Sequence, residues 1–385
     1  MQKISVVIPT FNADQYIGAA IESVLAQSAA IHEICVVDDG STDNTQSILK
    51  TFEGRIRSCR QTNQGPSAAR NRALEEVTGD LIIFLDADDI LDKNAALALA
   101  SGYERGVQEG KKVGVVYGDY WLVESELRYK RRVSVGRISR SQLIVDPCLI
   151  PSGMLASLKC VESAGRFDPT LDVCEDWDYC LRIAYAGFEF YKVSAITCIH
   201  REHGGSLSKN EEHAITGRLK LLHRWRCDAR TLEAERTRIR KEVARTLLRR
   251  VRQQIYDHER ASAQVSLEAA LGEDPSLFSD PLLVSYCTVY VAPFFRETIS
   301  LADVEAAVTC ASNLVMEARQ KLGRTRYELG AGSRIALCIE FCLRRHFVSG
   351  ALQALVVGVF HPDIVFKMLR VLCYEWTRTK AMRSM

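Results

Sequence analysis

Three short, mainly apolar runs each end in polar residues. They span Ile4 to Ile8, Ile34 to Val37 and Leu81 to Leu85. Runs of four or five residues suit the central strands of a parallel sheet that is covered on both faces. Because ligands bind just outside the carboxyl ends of such strands, the pattern predicts one site at the edge where the three strand ends converge.

Carboxylates follow two of these runs directly. Asp86 and Asp88 follow the third run, and this spacing suits a hard divalent cation shared with phosphate oxygens. A solvated loop or a helix cap is the alternative interpretation. Asp38 and Asp39 follow the second run, and Gly40 permits a tight turn before a helix that is predicted to begin near Asp43.

A further polar segment, Asn63 to Leu74, contains Pro66 at a position typical of the first turn of a helix. Arg70 and Arg72 follow within two turns. A guanidinium at this place can bind phosphate or the edge of a base.

Taken in order, the motifs ISVVIPTFN, VVDDGSTDNT, NQGPSAARNRAL and GDLIIFLDADD resemble those of the family 2 glycosyltransferases with the GT-A fold. The resemblance continues through the acidic segment around CEDWDYC to REHGGSLS and covers roughly residues 1–208. It implies an α/β nucleotide-binding domain with a mostly parallel central sheet. It also implies a nucleotide-diphosphate sugar donor, with UDP as the expected nucleotide, a divalent metal (Mn²⁺ or Mg²⁺), and inverting transfer to the hydroxyl of a glycan or lipid-linked acceptor, as in cell-surface glycan synthesis.

Within this resemblance, individual residues have expected roles. Asp88 and His203 are expected to bind the metal. Asp176 is expected to be the catalytic base, with Glu175 beside it in the acidic pair, and Trp177 is a candidate for stacking on the acceptor sugar. The donor is expected to contact residues at the strand ends and the arginine helix: Pro9, Thr10, Asn12, Asp39, Arg70 and Asp86.

The chemistry explains these residue types. A metal stabilises the negative charge that develops on the leaving diphosphate, and a carboxylate accepts the proton of the attacking hydroxyl. Asp89 is expected to be a helix cap. For the other residues structural roles are the alternatives: Asp176 could cap a helix predicted from Trp177 to Ala186, His203 could be an exposed loop residue, and Trp177 could pack in the core.

Beyond residue 208 the strand pattern stops, and helical periodicity predicts an all-α region over residues 209–385. This region holds 28 basic and 20 acidic residues, and Ile239, Val243, Leu247 and Val251 form an apolar stripe between arginines. A solvated basic face and attraction to an anionic membrane are both open interpretations. The sequence pattern does not indicate a function for this region, and homodimerisation is also an open interpretation.

Composition adds few constraints. The net charge of +2 gives no reason to expect a nucleic-acid partner, and thirteen scattered cysteines favour reduced, buried thiols. The apolar stretch 347–360 is too short to span a bilayer, so a cytoplasmic protein, with peripheral membrane contact as an option, is expected. The main alternative function is a noncatalytic nucleotide-sugar-binding or scaffold protein.

Overall fold

The structure, a computed structural model, describes residues 2–124, 130–147, 149–202, 210–257 and 259–274. The strands in these ranges are β1 Ile4–Thr10, β2 Glu33–Asp38, β3 Arg57–Arg60, β4 Leu81–Phe84, β5 Ile90–Leu91, β6 Val113–Glu124, β7 Lys130–Val133, β8 Met154–Ser157 and β9 Glu189–Glu202. The helices are α1 Ile17–Leu25, α2 Thr45–Thr51, α3 Gly65–Glu76, α4 Ala95–Gln108, α5 Arg140–Leu143, α6 Leu158–Ala164, α7 Glu175–Tyr185, α8 Glu211–Cys227, α9 Glu233–Tyr256 and α10 Arg260–Glu273.

All of these strands belong to one mixed sheet. Its order is β3-β2-β1-β4-β8-β6-β9-β5, with β7 paired to β6 outside this path. The first four strands are parallel, β8 is antiparallel to both of its neighbours, and β9 is again parallel to β6. The predicted α/β class with a mostly parallel central sheet is therefore confirmed.

The three apolar runs lie in β1, β2 and β4, and their side chains are almost completely buried. The chain adds β2 and β3 on one side of β1 and then returns to place β4 on the other side. Strand order reverses at this point, and such reversals open a crevice at the carboxyl ends of the strands. This rule predicts a site between Thr10 at the end of β1 and Asp86 beyond the end of β4.

The chain forms two compact units, residues 1–239 and 240–385. The first unit extends past the predicted boundary at residue 208 and includes α8. Trp225 of α8 donates from Nε1 to Asp178 Oδ1 (3.1 Å), and its ring stacks on Tyr185 with centroids 4.7 Å apart. These buried contacts attach α8 to α7 within the first unit.

The described part of the second unit is helical, in agreement with the predicted all-α region. The apolar stripe of α9 is mostly buried. None of the helices in the described ranges has the length and apolar character needed to cross a bilayer. The apolar stretch 347–360 lies outside the described residues. The seven cysteines within them are free thiols, as predicted.

Candidate functional site

The loops after β1 and β2 are tied to each other. Asn12 has a left-handed backbone (φ 47°), its N–H donates to Ser41 Oγ (2.9 Å), and its Oδ1 accepts from the Thr42 N–H (2.8 Å). Pro9 is buried in β1 opposite Val37 of β2. Asn12 therefore fixes the shape of this edge, whatever else it contacts.

Thr10 is the last residue of β1, and only 3% of it is exposed. Its backbone C=O accepts from the Asp39 N–H (2.8 Å), but its Oγ1 has no hydrogen-bond partner among the described residues. The same holds for the buried Ser67 Oγ in the first turn of α3, a helix that packs against β1. Buried hydroxyls without partners are uncommon, so this edge fits a polar ligand that would complete their bonding.

Asp39 is buried against the beginning of α3. Its carboxylate accepts from the backbone N–H groups of Gln64 (2.9 Å) and Gly65 (2.7 Å) and from Gln61 Nε2 (2.8 Å). The backbone groups are of the kind that the first turn of a helix leaves unsatisfied, and a carboxylate there also complements the helix dipole. Asp39 thus joins the end of β2 to the helix that carries Arg70.

Asp38 has contacts within its own turn and one with β3, where Arg60 Nε lies 3.5 Å from Asp38 Oδ2. It is fully buried and accepts from the Ser41 N–H (2.9 Å) and from Gln46 Nε2. Gly40 turns the chain here with φ of +84°, and a Cβ at this position would lie 3.0 Å from the Asn63 backbone nitrogen. Asp38 and Gly40 therefore hold the turn that places Asp39.

Arg70 connects the two acidic segments of the sequence. Its Nη2 lies 2.7 Å from Asp86 Oδ1, and its Nη1 lies 2.8 Å from Glu175 Oε1. The guanidinium also lies over the Phe167 ring, 5.4 Å from its centroid, and its side chain is only 4% exposed. Burial alone would lower the pKa of Arg70, but attraction to Asp86 and Glu175 outweighs burial and raises this pKa, so the arginine stays charged.

Asp176 lies beside this bridge, at the second position of α7. Burial raises the pKa of its carboxyl and the charge of Glu175 adds to the increase, while Arg70 and the Trp177 N–H (2.7 Å) oppose it, giving a pKa of about 7. A carboxylate with this pKa is suited to accept a proton at neutral pH. Cys174, just before the pair, has a left-handed backbone (φ 64°), which is costly for a residue with a side chain.

Trp177, expected to stack on a sugar, is 2% exposed. Its Nε1 donates to the Leu143 C=O, and the Arg218 guanidinium lies 4.7 Å from its ring centroid. Stacking on an acceptor would require this ring to become exposed. The geometry gives Trp177 a packing role at the base of α7.

The loop after β4 presents Asp86 and Asp88, both partly exposed. The Asp86 N–H donates to Ser152 Oγ (3.0 Å). No three histidine, cysteine or acidic side chains converge as a complete metal site in the described ranges. His203 lies outside those ranges. The donor set fits a cation that one or two loop carboxylates share with substrate phosphates, which is a common arrangement for Mg²⁺.

Sequence reasoning missed His200, which lies on β9 next to the acidic loop. Its Nδ1 is 3.0 Å from Asp89 Oδ2, and Asp89 is fully buried. Burial would lower the pKa of His200, but its hydrogen bond to Asp89 and the nearby acidic charges outweigh burial and raise this pKa to about 9. Asp89 therefore pairs with β9 instead of capping a helix. No local pattern signals this contact, because it joins residues 111 positions apart.

Residues 5–154 match the family model described as Glycosyl transferase family 2. WfgD of Escherichia coli, a UDP-Glc:alpha-D-GlcNAc-diphosphoundecaprenol beta-1,3-glucosyltransferase, is 32% identical over 145 residues, which cover 37% of this chain and 54% of WfgD. The glycosyltransferase GlyG of Streptococcus pneumoniae is 38% identical over 122 residues, which cover 31% of this chain and 39% of GlyG. The chain therefore spans about half or less of these relatives.

Among solved structures, S. aureus TarS 1-349 in complex with UDP-GlcNAc is similar to this chain with a TM-score of 0.55 and 16% identity. The likeness covers 86% of this chain and 95% of that one. At this identity it concerns the fold alone, and it agrees with the GT-A architecture.

Proposed function

Residues 5–154 of this chain match the model of glycosyl transferase family 2, and from this similarity we propose that the protein transfers a sugar from a nucleotide-diphosphate donor to an acceptor hydroxyl. The proposed reaction inverts the anomeric centre in a single displacement and uses a divalent metal. The donor nucleotide is proposed to be UDP.

One observation carries this proposal. Arg70 holds Asp86, at the end of a central strand, and Glu175, at the start of α7, within 2.8 Å of the same guanidinium. These carboxylates are far apart in the chain, and each belongs to a segment that the family resemblance connects with a different substrate. Their convergence supports the proposal, because a direct displacement between two bound substrates requires the loop proposed to bind the donor to lie beside the acidic pair.

Asp176 is the proposed base. With a pKa of about 7 it is largely ionised just above neutral pH, and it can then take the proton of the acceptor hydroxyl as that oxygen attacks the anomeric carbon. The bond from the anomeric carbon to the diphosphate breaks on the opposite face, and the leaving group takes the electron pair. Glu175 is proposed to tune Asp176 through its negative charge and to remain bonded to Arg70.

The proposed metal would be held by Asp88, together with His203 and the donor phosphates. When bound, it would supply positive charge that stabilises the leaving diphosphate. In this scheme Asp86 is oriented by Arg70 and lies towards the ribose. Of the two loop carboxylates, Asp88 is the one proposed to bind the cation.

The nucleotide is proposed to bind at the end of β1 and the start of α3. Thr10 Oγ1 and Ser67 Oγ are the buried groups there that need partners, and Asp39 lies between the two elements. The name of WfgD and the TarS complex with UDP-GlcNAc support UDP as the nucleotide. The WfgD name also supports a lipid-linked or glycan acceptor, and thus a role in cell-surface glycan synthesis.

A donor screen tests the proposal. The purified chain is incubated with Mn²⁺, a panel of UDP- and GDP-sugars and simple sugar acceptors, and release of the nucleoside diphosphate is measured. We expect release from at least one UDP-sugar, and a loss of about 100-fold or more in Asp176→Asn. Donor binding with no release, equal in the wild type and the variant, would instead favour a noncatalytic nucleotide-sugar-binding protein.

A further inference from the structure

The buried carboxylate of Asp89 has contacts of a different kind from those of Asp86 and Asp88. Both of its oxygens accept from His200 Nδ1 (3.1 and 3.0 Å), and Oδ1 also accepts from the Arg201 backbone N–H (2.9 Å). Arg201 Nη1 in turn donates to the Asp88 backbone C=O (3.2 Å). Two consecutive residues of β9 therefore bind two consecutive residues of the acidic loop.

The backbone that follows the loop reinforces this attachment. β5 pairs with β9 through Ile90 opposite Ile199 and Leu91 opposite Cys198, and the Asp92 N–H donates to the Thr197 C=O (2.9 Å). The rings of His200 and Tyr120 make a T-shaped contact, with centroids 6.1 Å apart. A fully buried carboxylate would be costly without such partners, and bonds between charged groups are among the strongest that a side chain makes.

We propose that Asp89, His200 and Arg201 form a clamp that fixes the acidic loop on β9. The clamp thereby holds the Asp88 carboxylate in one orientation for binding the cation. Neither the family resemblance nor the reaction scheme above gives these three residues a role. They are positioning residues, because their contacts are with the loop and not with a reacting atom. The inference rests on the proposed function only for what Asp88 binds, since the clamp itself is made within the chain.

Opening the clamp should weaken one kind of binding and leave another unchanged. Asp86 is also held by Arg70 and by Ser152, so opening the clamp should leave the Asp86 side of the loop in place. The Asp88 side would lose the Arg201 contact and the anchor at Asp89. Binding that depends on the metal should therefore weaken, while binding of the nucleotide without metal should change little.

The first test needs no ligand. Amide hydrogen exchange is measured for a peptide covering residues 85–92 in the wild type, His200→Leu and His200→Asn. Asparagine can place an N–H near the position of Nδ1, so it is the conservative control. We expect at least about 10-fold faster exchange in His200→Leu and near wild-type exchange in His200→Asn, with the strands β1 and β2 unchanged in both. Equal exchange in all three proteins would overturn the clamp.

The second test is calorimetry of UDP with and without Mn²⁺. We expect His200→Leu to lose about 10-fold or more of the affinity measured with Mn²⁺ and to keep the affinity measured without it, as is usual when groups that support a metal ligand are removed. Arg201→Met leaves the buried Asp89–His200 pair intact and should show the same selective loss, so it serves if His200→Leu does not fold.

The two proposals fail in different ways. Wild-type protein that binds no UDP in either condition would contradict the proposed function, and the exchange result would then decide the clamp alone. Full Mn²⁺-dependent UDP affinity in both His200→Leu and Arg201→Met would overturn the clamp and leave the proposed function standing.

Discussion

Replacement of Asp176 by asparagine should stabilise the protein while it removes most of the transfer activity. In the folded protein the pKa of Asp176 is raised from its ordinary value of 3.8 to about 7. Between these two values the folded state binds a proton more tightly than the unfolded state does. Stability therefore falls as pH rises from about 4 to 7, and the loss is complete above pH 7.

The size of the effect follows from the pKa. A difference of one pH unit between two pKa values corresponds to about 1.4 kcal/mol, so the increase to about 7 corresponds to about 4 kcal/mol at most. Part of this will be recovered by rearrangement of the Glu175 and Arg70 side chains around Asp176. We therefore expect Asp176→Asn to raise the free energy of unfolding by about 2–4 kcal/mol at pH 8 and to change it little near pH 4.

The assay is urea unfolding followed by tryptophan fluorescence at pH 5 and pH 8. Three of the four tryptophans lie in residues 1–239, so the signal reports mainly on the unit that contains the site. Asp172→Asn is the matched control, because Asp172 is exposed and lies only four positions away. The control should show no comparable gain at either pH.

Activity provides the second measurement. If Asp176 is the base, as proposed, kcat/KM of the wild type should rise with pH and level off above about pH 7, because a carboxyl group accepts a proton only when it is ionised. Asp176→Asn should lower kcat by about 100-fold or more at all pH values. A variant that is no more stable than wild type at pH 8, or one that transfers sugar at a near-normal rate, would refute the reasoning.

Three further predictions can be measured on the same protein. Arg70→Met should raise the pKa of Asp176, since Arg70 lowers it, and should move the rise in kcat/KM to higher pH. Glu175→Gln should lower this pKa and move the rise to lower pH. The two pH profiles together test Asp176 as the base, and shifts in the same direction would contradict that role. Asp88→Ala should abolish most Mn²⁺-dependent UDP binding in calorimetry without loss of folding by circular dichroism, and unchanged affinity would reject Asp88 as a ligand. Trp225→Phe keeps the stacked ring but removes the N–H that binds buried Asp178, so urea unfolding should show a loss of about 1–3 kcal/mol, and no loss would mean that this bond does not hold α8.

The local parts of the fold can be predicted from the sequence. Short apolar runs specify buried parallel strands, and the predicted runs differ from the observed strands by only a few residues. The helix predicted from Trp177 begins two residues earlier, at Glu175, because the acidic pair itself forms the first turn. Helical periodicity predicts a helical segment from about Glu212 to His258, but in the structure α8 ends at Cys227. Thr231 Oγ1 bonds there to the Trp225 C=O (2.7 Å).

The partners of the site residues cannot be predicted in the same way. Proximity of strand ends follows from sheet topology, so the grouping of Thr10, Asp39 and Asp86 at one edge is predictable. The Arg70 contact with Glu175 spans 105 positions, and its geometry depends on where the fold places the start of α7 relative to α3. Periodicity carries no information on such contacts.

The start of α7 concentrates unfavourable features that the rest of the helix offsets. Cys174 has a left-handed backbone, and Glu175 and Asp176 bring two carboxylates together in a largely buried first turn. The helix dipole favours acids at this end, but by only about 0.3–2 kcal/mol each, which is less than the cost implied by the pKa of Asp176.

Contacts further along α7 account for the difference. The Trp177 indole bonds to the Leu143 C=O, and Asp178 accepts from Arg182 Nε (2.7 Å) and from the Trp225 indole of α8. Trp177, Asp178 and Trp225 are buried, so moving the first turn would break several bonds at once. The acidic pair can therefore be kept beside Arg70 in a strained and charged arrangement, because the remainder of α7 and its contact with α8 fix the position of the helix. This is the physical reason to group α8 with the unit that holds the candidate site, although the family resemblance ends near residue 208, before α8 begins.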